Sequence, residues 1–425
     1  MMSANKTTGV HLLTRNKLVL NCLSWLLPLS LSGGGDLLCF EWLGATWYAF
    51  RIVVVVGGVL ACVDIASSRR SIPFWLWSWI ATAIIWLAWA LINRDSTMDK
   101  ALWQKGIFYL LIGFASLLTI YHLSSQGKQS RMVAATAMGL AMNVIIAALQ
   151  MSTSLRPDSA FTQELVAYSS EHYVRFVPTG LFGNPNHFAM YVCAQLLLIY
   201  SFRRYIAFAS RMALYALSVL LIILTQSRIG EIALLILAVF IAIENRRWLV
   251  IQSTRLSGKI LIGLCFVGAI VLSHTWINTR ERALEIERSN NTLKHVKEAS
   301  EGSRTALLKC GYEMLTESGY RGVGAGQFPR VVREKGCNTQ TGGMVDPHCG
   351  IAEIAAESGV VVAILWIIAL VICVVQSFRT GLVLQSLAWL LVLGVLQFAN
   401  STFLSTPVAW CLIAWPIMAH FEREK

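Results

Sequence analysis

The chain has 425 residues, 56% hydrophobic and 14% charged, with a formal net charge of +12. So much apolar residue and so little charge exclude a soluble globular domain. Apolar runs of about 20 residues without strand-like alternation exclude an outer-membrane barrel, because only helices satisfy such a backbone in lipid. The expected fold class is an all-α polytopic membrane protein. The basic residues fall mostly in short loops between apolar runs, where they orient the chain, so the positive charge points to a membrane and not to nucleic acid.

In chain order, a polar and basic N-terminus up to Lys17 precedes an apolar run over about 18–31. This resembles a signal peptide, but the many spans that follow already commit the chain to the membrane, and Ser30-Leu31-Ser32 is a vague processing site. An uncleaved first span is therefore expected. Further spans are expected at about 44–66, 72–92, 103–123, 131–151, 186–202, 212–226, 229–243, 257–277, 350–377, 380–399 and 403–421, about twelve in all. With the N-terminus in the cytoplasm, Arg69, Arg70, Lys128, Arg131, Arg203, Arg204, Arg211, Arg246, Arg247 and Arg379 all fall on that side, as orientation by basic loops requires. Both chain ends are then cytoplasmic. The expected organisation is a first membrane block over 1–277 with a short external loop near 152–186, a large external segment over 278–349, and a final membrane block over 350–425.

Within the external segment, Ser303 is placed to cap a helix running to about Glu317, with Leu307, Leu308, Tyr312 and Leu315 on one face. The acid-base mixture from Arg280 to Glu301 reads as another helix, and Gly319 to Gly326 as a loop. Of the ten cysteines, Cys310, Cys337 and Cys349 lie in this segment, so in an oxidising compartment two of them pair and one is left over. No close C-x-x-C spacing supports a zinc site with His348, and no metal is expected.

Several polar residues stand out against this apolar background. Arg228 sits between two apolar runs near the outer surface, and its planar fork suits bidentate phosphate recognition; an ion pair with Glu231 or a lipid headgroup contact is the plainer alternative. Gln226, Ser227 and Glu231 make the same spot polar. His348 closes the external segment where the next span begins, so it is either a helix-start histidine or a general base near neutral pH, with Asp346 able to orient it. Glu353 and Glu357, one turn apart on an apolar helix, imply a polar face turned into the bundle, towards a substrate or towards arginines. Asn184 and Asn186 read as a turn and helix start. Gly322, Gly324 and Gly326 are candidates for a backbone anion nest or a flexible turn. Arg304, expected in the first turn of its helix, opposes the dipole there and hints at an external anion.

Taken together, Leu181-Phe182-Gly183-Asn184-Pro185-Asn186, Thr225-Gln226-Ser227-Arg228-Ile229-Gly230, Gly302-Ser303-Arg304, Gly322-Val323-Gly324-Ala325-Gly326-Gln327-Phe328 and His348 followed by Glu353 to Gly359 resemble the O-antigen ligase family. That family is grouped with O-antigen polymerases and pilin oligosaccharyltransferases. The resemblance implies a GT-C-like bundle of about twelve helices with a large periplasmic loop. It also implies a multi-pass protein of the bacterial inner membrane that moves a glycan from undecaprenyl pyrophosphate to lipid A-core at the periplasmic face, without metal, nucleotide or other cofactor. Arg228 and Arg304 would bind the pyrophosphate and His348 would be the essential histidine. Asn184, Asn186, Gln226, Gly324, Gly326, Glu353 and Glu357 would contact substrate. Cys349 departs from the family, which often has Asn there. The rival readings are a polymerase with the same donor, a pilin enzyme, which would need an added soluble domain for its protein acceptor, and a polyprenol-glycan flippase. A transporter should place ionisable residues at the midplane of two matching halves, whereas these candidates cluster at one surface.

Overall fold

The structure is a computed structural model that describes residues 16–33, 40–42, 45–67, 72–153, 177–182, 184–225, 227–244, 292–337, 345–379, 381–398 and 402–422. Helix α1 spans Lys17–Ser32 and leads into a small antiparallel ribbon, β1 Phe40–Trp42 and β2 Ala45–Trp47, in which Phe40 pairs with Trp47. This ribbon takes up the first residues of the span expected at 44–66, so the helix there is shorter than its apolar run, and the protein is helical with one minor strand pair. Helices α2 Ala49–Ser67, α3 Phe74–Ile92, α4 Lys100–Ser125, α5 Gln129–Ser152, α6 Pro185–Ser201, α7 Phe208–Thr225 and α8 Arg228–Glu244 follow. The polar segment before residue 350 supplies α9 Thr292–Glu317 and α10 Phe328–Glu334. The chain ends in α11 Gly350–Arg379, α12 Val383–Leu396, α13 Pro407–Ile413 and α14 Trp415–His420.

Six of these (α2, α3, α4, α5, α7 and α11) are long and apolar enough to cross a membrane. Helices α1 and α12 and the α13–α14 pair are apolar but shorter. The span expected at 257–277 lies outside the described residues, as does Gln226.

Where two helices approach closely, small residues allow it, as packing between membrane helices requires. Gly57 and Gly58 of α2 lie on Thr119 and Ala115 of α4, and the Thr119 hydroxyl donates to the Val54 carbonyl at 3.1 Å. Ser32 and Tyr191 share a hydroxyl hydrogen bond of 2.6 Å across α1 and α6. Buried Trp79, Trp86, Trp366, Trp389, Trp410 and Trp415 fill the remaining interior.

The single span expected at 403–421 is instead two short helices meeting at Ala414. The cause is Pro416, which has no N–H to donate to the carbonyl of Leu412. That carbonyl accepts the Trp389 indole N–H at 2.6 Å instead, so no buried acceptor is abandoned.

The helices alternate in direction, which sorts their ends into two layers. One layer holds the α3–α4 connection, the starts of α6, α8 and α11, and the α9–α10 segment. Its internal ties include Gln150 of α5, whose amide accepts from the N–H groups of Thr179 and Gly180 at 3.1 and 3.0 Å and donates to the Gly180 carbonyl at 2.7 Å. The opposite layer holds Lys128, Arg203, Arg204 and Glu244. There Arg203 pairs with Glu244 and Arg204 with Glu422, Gln385 donates to Glu244 at 2.8 Å, and Lys128 donates to Asn21 at 3.0 Å.

Candidate functional site

Helix α11 carries the largest departure from the expected pattern. Its run at 350–377 reads as one helix, but Gly359 adopts φ 84° and ψ 170°, breaking the spiral two turns after its start. A break leaves carbonyls without their i+4 partners, and inside an apolar bundle these must be satisfied by protein. The segment Tyr320 to Phe328 does so. Val323 and Gly324 donate to the carbonyls of Ala356 and Glu357, both at 2.9 Å, and Val360 donates to the Tyr320 carbonyl at 3.1 Å. The approach is so close that a Cβ on Gly359 would lie 2.5 Å from the Arg321 carbonyl oxygen, and one on Gly322 2.5 Å from that of Glu357. Both positions also have positive φ, so only glycine fits them without strain.

The same segment is held by side chains. The Glu357 carboxylate, 6% exposed, accepts from the N–H of Gly326 at 2.8 Å and of Phe328 at 3.1 Å. The glycine segment is thus an anion nest whose anion belongs to the chain itself. Gln327, fully buried, donates to the Asp99 carbonyl at 2.9 Å and accepts its N–H at 3.0 Å, fixing the segment to the start of α4. One turn before Glu357, Glu353 accepts from Phe403 at 2.7 Å and Leu404 at 3.4 Å, holding the turn that opens α13. For the inward polar face of α11, then, backbone amides are the partners seen, where the sequence left substrate or arginines open.

These contacts wall a cavity of about 310 Å³ between the starts of α4 and α11, the glycine segment, and residues 402–405. Lys105, Tyr109, Asp346, Glu353, Glu357, Thr402 and Ser405 supply its polar lining. Burial pushes the Asp346 carboxyl above its ordinary range, while Lys105 and Arg333 pull it back down. Arg51, 4% exposed, packs its guanidinium 4.9 Å from the Tyr109 ring centre and 4.4 Å from that of Tyr48.

Of the residues singled out from sequence, Gly326, Asp346, Glu353 and Glu357 line this cavity. Gly324 lies in the segment behind it, over Met98. Arg228, Arg304 and His348 do not line it, although His348 directly follows Asp346 and Pro347, which do. His348 holds a left-handed backbone with φ 49°. Arg228 is exposed at the first position of α8, where the Ser227 hydroxyl accepts the Gly230 N–H at 3.3 Å and caps the helix. Gly230 packs on Ala189 near the start of α6, so Arg228 and Asn184 share one end of the bundle. Asn184 caps α6, its side chain accepting the Asn186 N–H at 2.8 Å.

Helix α9 already runs from Thr292, so Ser303 does not cap it and Arg304 stands mid-helix rather than in the first turn. There Arg304 does not oppose the helix dipole, whose effect fades beyond the first turn. Cys310 and Cys337 form a disulfide with Cα atoms 6.6 Å apart, and Cys349 is the free, buried third. Among the described residues no cluster of His, Cys, Asp and Glu is arranged to hold a metal.

Sequence reasoning passed over Arg51, Lys105 and Tyr109. The signal was present, since an ionisable residue inside or at the edge of an expected apolar run is costly and marks a site. Both Arg51 and Lys105 meet that description.

The bundle and its one-sided polar cavity define a multi-pass helical membrane protein with a ligand-sized pocket at one end. Residues 213–367 match the model of the O-antigen ligase family, a stretch that includes Arg228, Arg304, the glycine segment, His348 and both glutamates. That stretch, about a third of the chain, is similar to a ligase and polymerase group of glycosyltransferase-like enzymes of lipopolysaccharide synthesis. No curated protein and no solved structure matches the chain.

Proposed function

We propose that this protein is an O-antigen ligase, which transfers a glycan from undecaprenyl pyrophosphate to lipid A-core at the periplasmic face of the bacterial inner membrane. The observation that carries this reading is His348. Among the described non-glycine residues only Tyr320 and His348 have positive φ, and such backbone costs on the order of 1–3 kcal/mol, which proteins retain mostly at functional sites. A titratable ring is held in this way directly beside the wall of the polar cavity. The Cys310–Cys337 disulfide supports placing this end in an oxidising compartment, with both chain ends on the cytoplasmic side.

In this reading the acceptor hydroxyl oxygen attacks the anomeric carbon of the donor's reducing-end sugar. The bond from that carbon to the pyrophosphate oxygen breaks with inversion, and the electron pair leaves with the pyrophosphate. His348 takes the hydroxyl proton. Arg228 and Arg304 bind the pyrophosphate and stabilise its growing charge, an interaction that strengthens towards the transition state. Arg228 is exposed at the start of α8, where an anionic ligand can reach it.

The test is glycan transfer by purified protein in lipid, given undecaprenyl-pyrophosphate glycan with or without lipid A-core. Transfer to lipid A-core is expected from the wild type and a loss of about 10²–10⁴-fold from His348→Ala, with unchanged thermal unfolding. Normal transfer by the variant removes His348 from the mechanism. Longer glycan on the polyprenol without lipid A-core makes the protein a polymerase, and no transfer with any donor favours transport.

A further inference from the structure

The cavity is acidic where a pyrophosphate pocket should be basic. Asp346, Glu353 and Glu357 line it against one cation, Lys105, and carboxylates crowded around a pyrophosphate would repel it. Glu357 spends both oxygens on the glycine segment. Glu353 spends only Oε2 on Phe403 and Leu404, which leaves Oε1 for a ligand. Asp346 accepts no hydrogen bond among the described residues, and Lys105 makes no ion pair there, resting only over the Tyr109 ring at 5.8 Å. A cation and two carboxylate acceptors therefore surround one space without neutralising one another.

The chemistry that completes such a space must donate and accept at neighbouring atoms. A phosphate only accepts and an ammonium only donates, whereas a sugar hydroxyl does both. Its hydroxyls can donate to Asp346 and Glu353 while one accepts from Lys105. Tyr109 lines the same space, its ring held between the cations of Arg51 at 4.9 Å and Lys105 at 5.8 Å. The volume, about 310 Å³, sits at the small end of ligand pockets, which run to roughly 300–1,000 Å³.

We propose that this cavity is a subsite for an uncharged, hydroxyl-bearing sugar of the acceptor glycan, with Lys105 as a specificity-determining residue. It is distinct from the place of the donor pyrophosphate. The assignment of this sugar to the acceptor rests on the glycosyl-transfer reading above; the preference for sugar over phosphate does not.

Two measurements separate the ideas. In the first, core oligosaccharide freed of its lipid is titrated calorimetrically into the protein in nanodiscs. Saturable binding is expected, weakened about tenfold in Lys105→Met and in Tyr109→Leu, equivalent to about 1.4 kcal/mol, and largely kept in Lys105→Arg. In the second, transfer kinetics are followed with each substrate varied. Lys105→Met should raise the acceptor KM by a similar factor and move the donor KM less than about twofold. Lys105 is exposed, so folding is expected to survive its replacement, and Tyr109→Leu tests the same subsite without touching charge. Wild-type binding of core oligosaccharide that neither variant weakens overturns the proposal, as does a rise in donor KM with acceptor KM unmoved. Wild-type protein that binds the oligosaccharide but transfers nothing sinks the ligase reading and leaves the sugar subsite standing. Transfer without any dependence on Lys105 or Tyr109 does the reverse.

Discussion

The cavity wall and the opposite end of the bundle hold their charged side chains differently. At the end holding Lys128, charged side chains find each other: Arg203 and Glu244, Arg204 and Glu422, with Gln385 and Asn21 as neutral partners. At the cavity end, buried carboxylates are satisfied by backbone N–H groups instead. Glu357 takes those of Gly326 and Phe328, and Glu353 those of Phe403 and Leu404. Lys105 draws the Asp346 pKa down without an ion pair between the two. One end joins helices through ion pairs; at the other the cavity wall is fixed by backbone amides, and the ion pairs Arg330–Glu334 and Lys335–Glu317 lie outside the cavity.

The difference is tested most severely at the latch. Glu357→Ala leaves two buried N–H groups without an acceptor, each costing about 1–3 kcal/mol, so stability should fall by about 2–6 kcal/mol and thermal unfolding in detergent should move down sharply. Glu357→Gln keeps one amide oxygen to accept and should lose about half as much. Gly359→Ala attacks the same latch from the backbone side. A Cβ at φ 84°, 2.5 Å from the Arg321 carbonyl, should cost about 2–4 kcal/mol through strain and overpacking. Glu244→Gln at the opposite end breaks only a partly exposed ion pair, worth about 1 kcal/mol or less, and glycan transfer should be unchanged. If Glu244→Gln proves as damaging as Glu357→Ala, the contrast between the two ends is wrong.

Residue by residue, the chain showed its architecture better than its latch. Apolar runs located α3, α4, α5, α6 and α8 to within a few residues, because length in lipid is set by rise per residue and leaves little freedom. Pro416 and Gly359 were both visible, yet neither break was anticipated. What makes each tolerable is a partner far away in sequence, the Trp389 indole for one and the Tyr320–Phe328 segment for the other. The same limit applies to the site. Glu353 and Glu357 were rightly turned inward from their positions on an apolar helix, but their partners are amides, which have no sequence signature. The three-glycine pattern suggested an anion nest without disclosing that the anion was Glu357. Lys105 and Arg51 were legible as ionisable residues within apolar runs, but the cavity they flank is closed by Asp346 and residues 402–405, far away in sequence.

The smallest expected effect concerns Asp346, and it distinguishes a kept charge from a structural one. Burial raises its folded-state pKa above the ordinary 3.8, so its favourable contribution to folding is complete below that value and is lost as pH rises through the raised one. At neutral pH the ionised carboxylate therefore costs stability. Asp346→Asn should raise the thermal midpoint slightly at pH 7 and leave it unchanged near pH 3. A latch residue would behave oppositely, losing stability on amidation at neutral pH. Acceptor binding should run the other way from stability, since the ionised carboxylate is the stronger acceptor for a sugar hydroxyl. Acceptor KM should therefore begin to rise, on acidification, above the pH of an ordinary carboxylate. Lys105 is one of the two cations that hold the Asp346 pKa down, so Lys105→Met should move that rise to still higher pH, a shift that Glu244→Gln at the opposite end cannot produce.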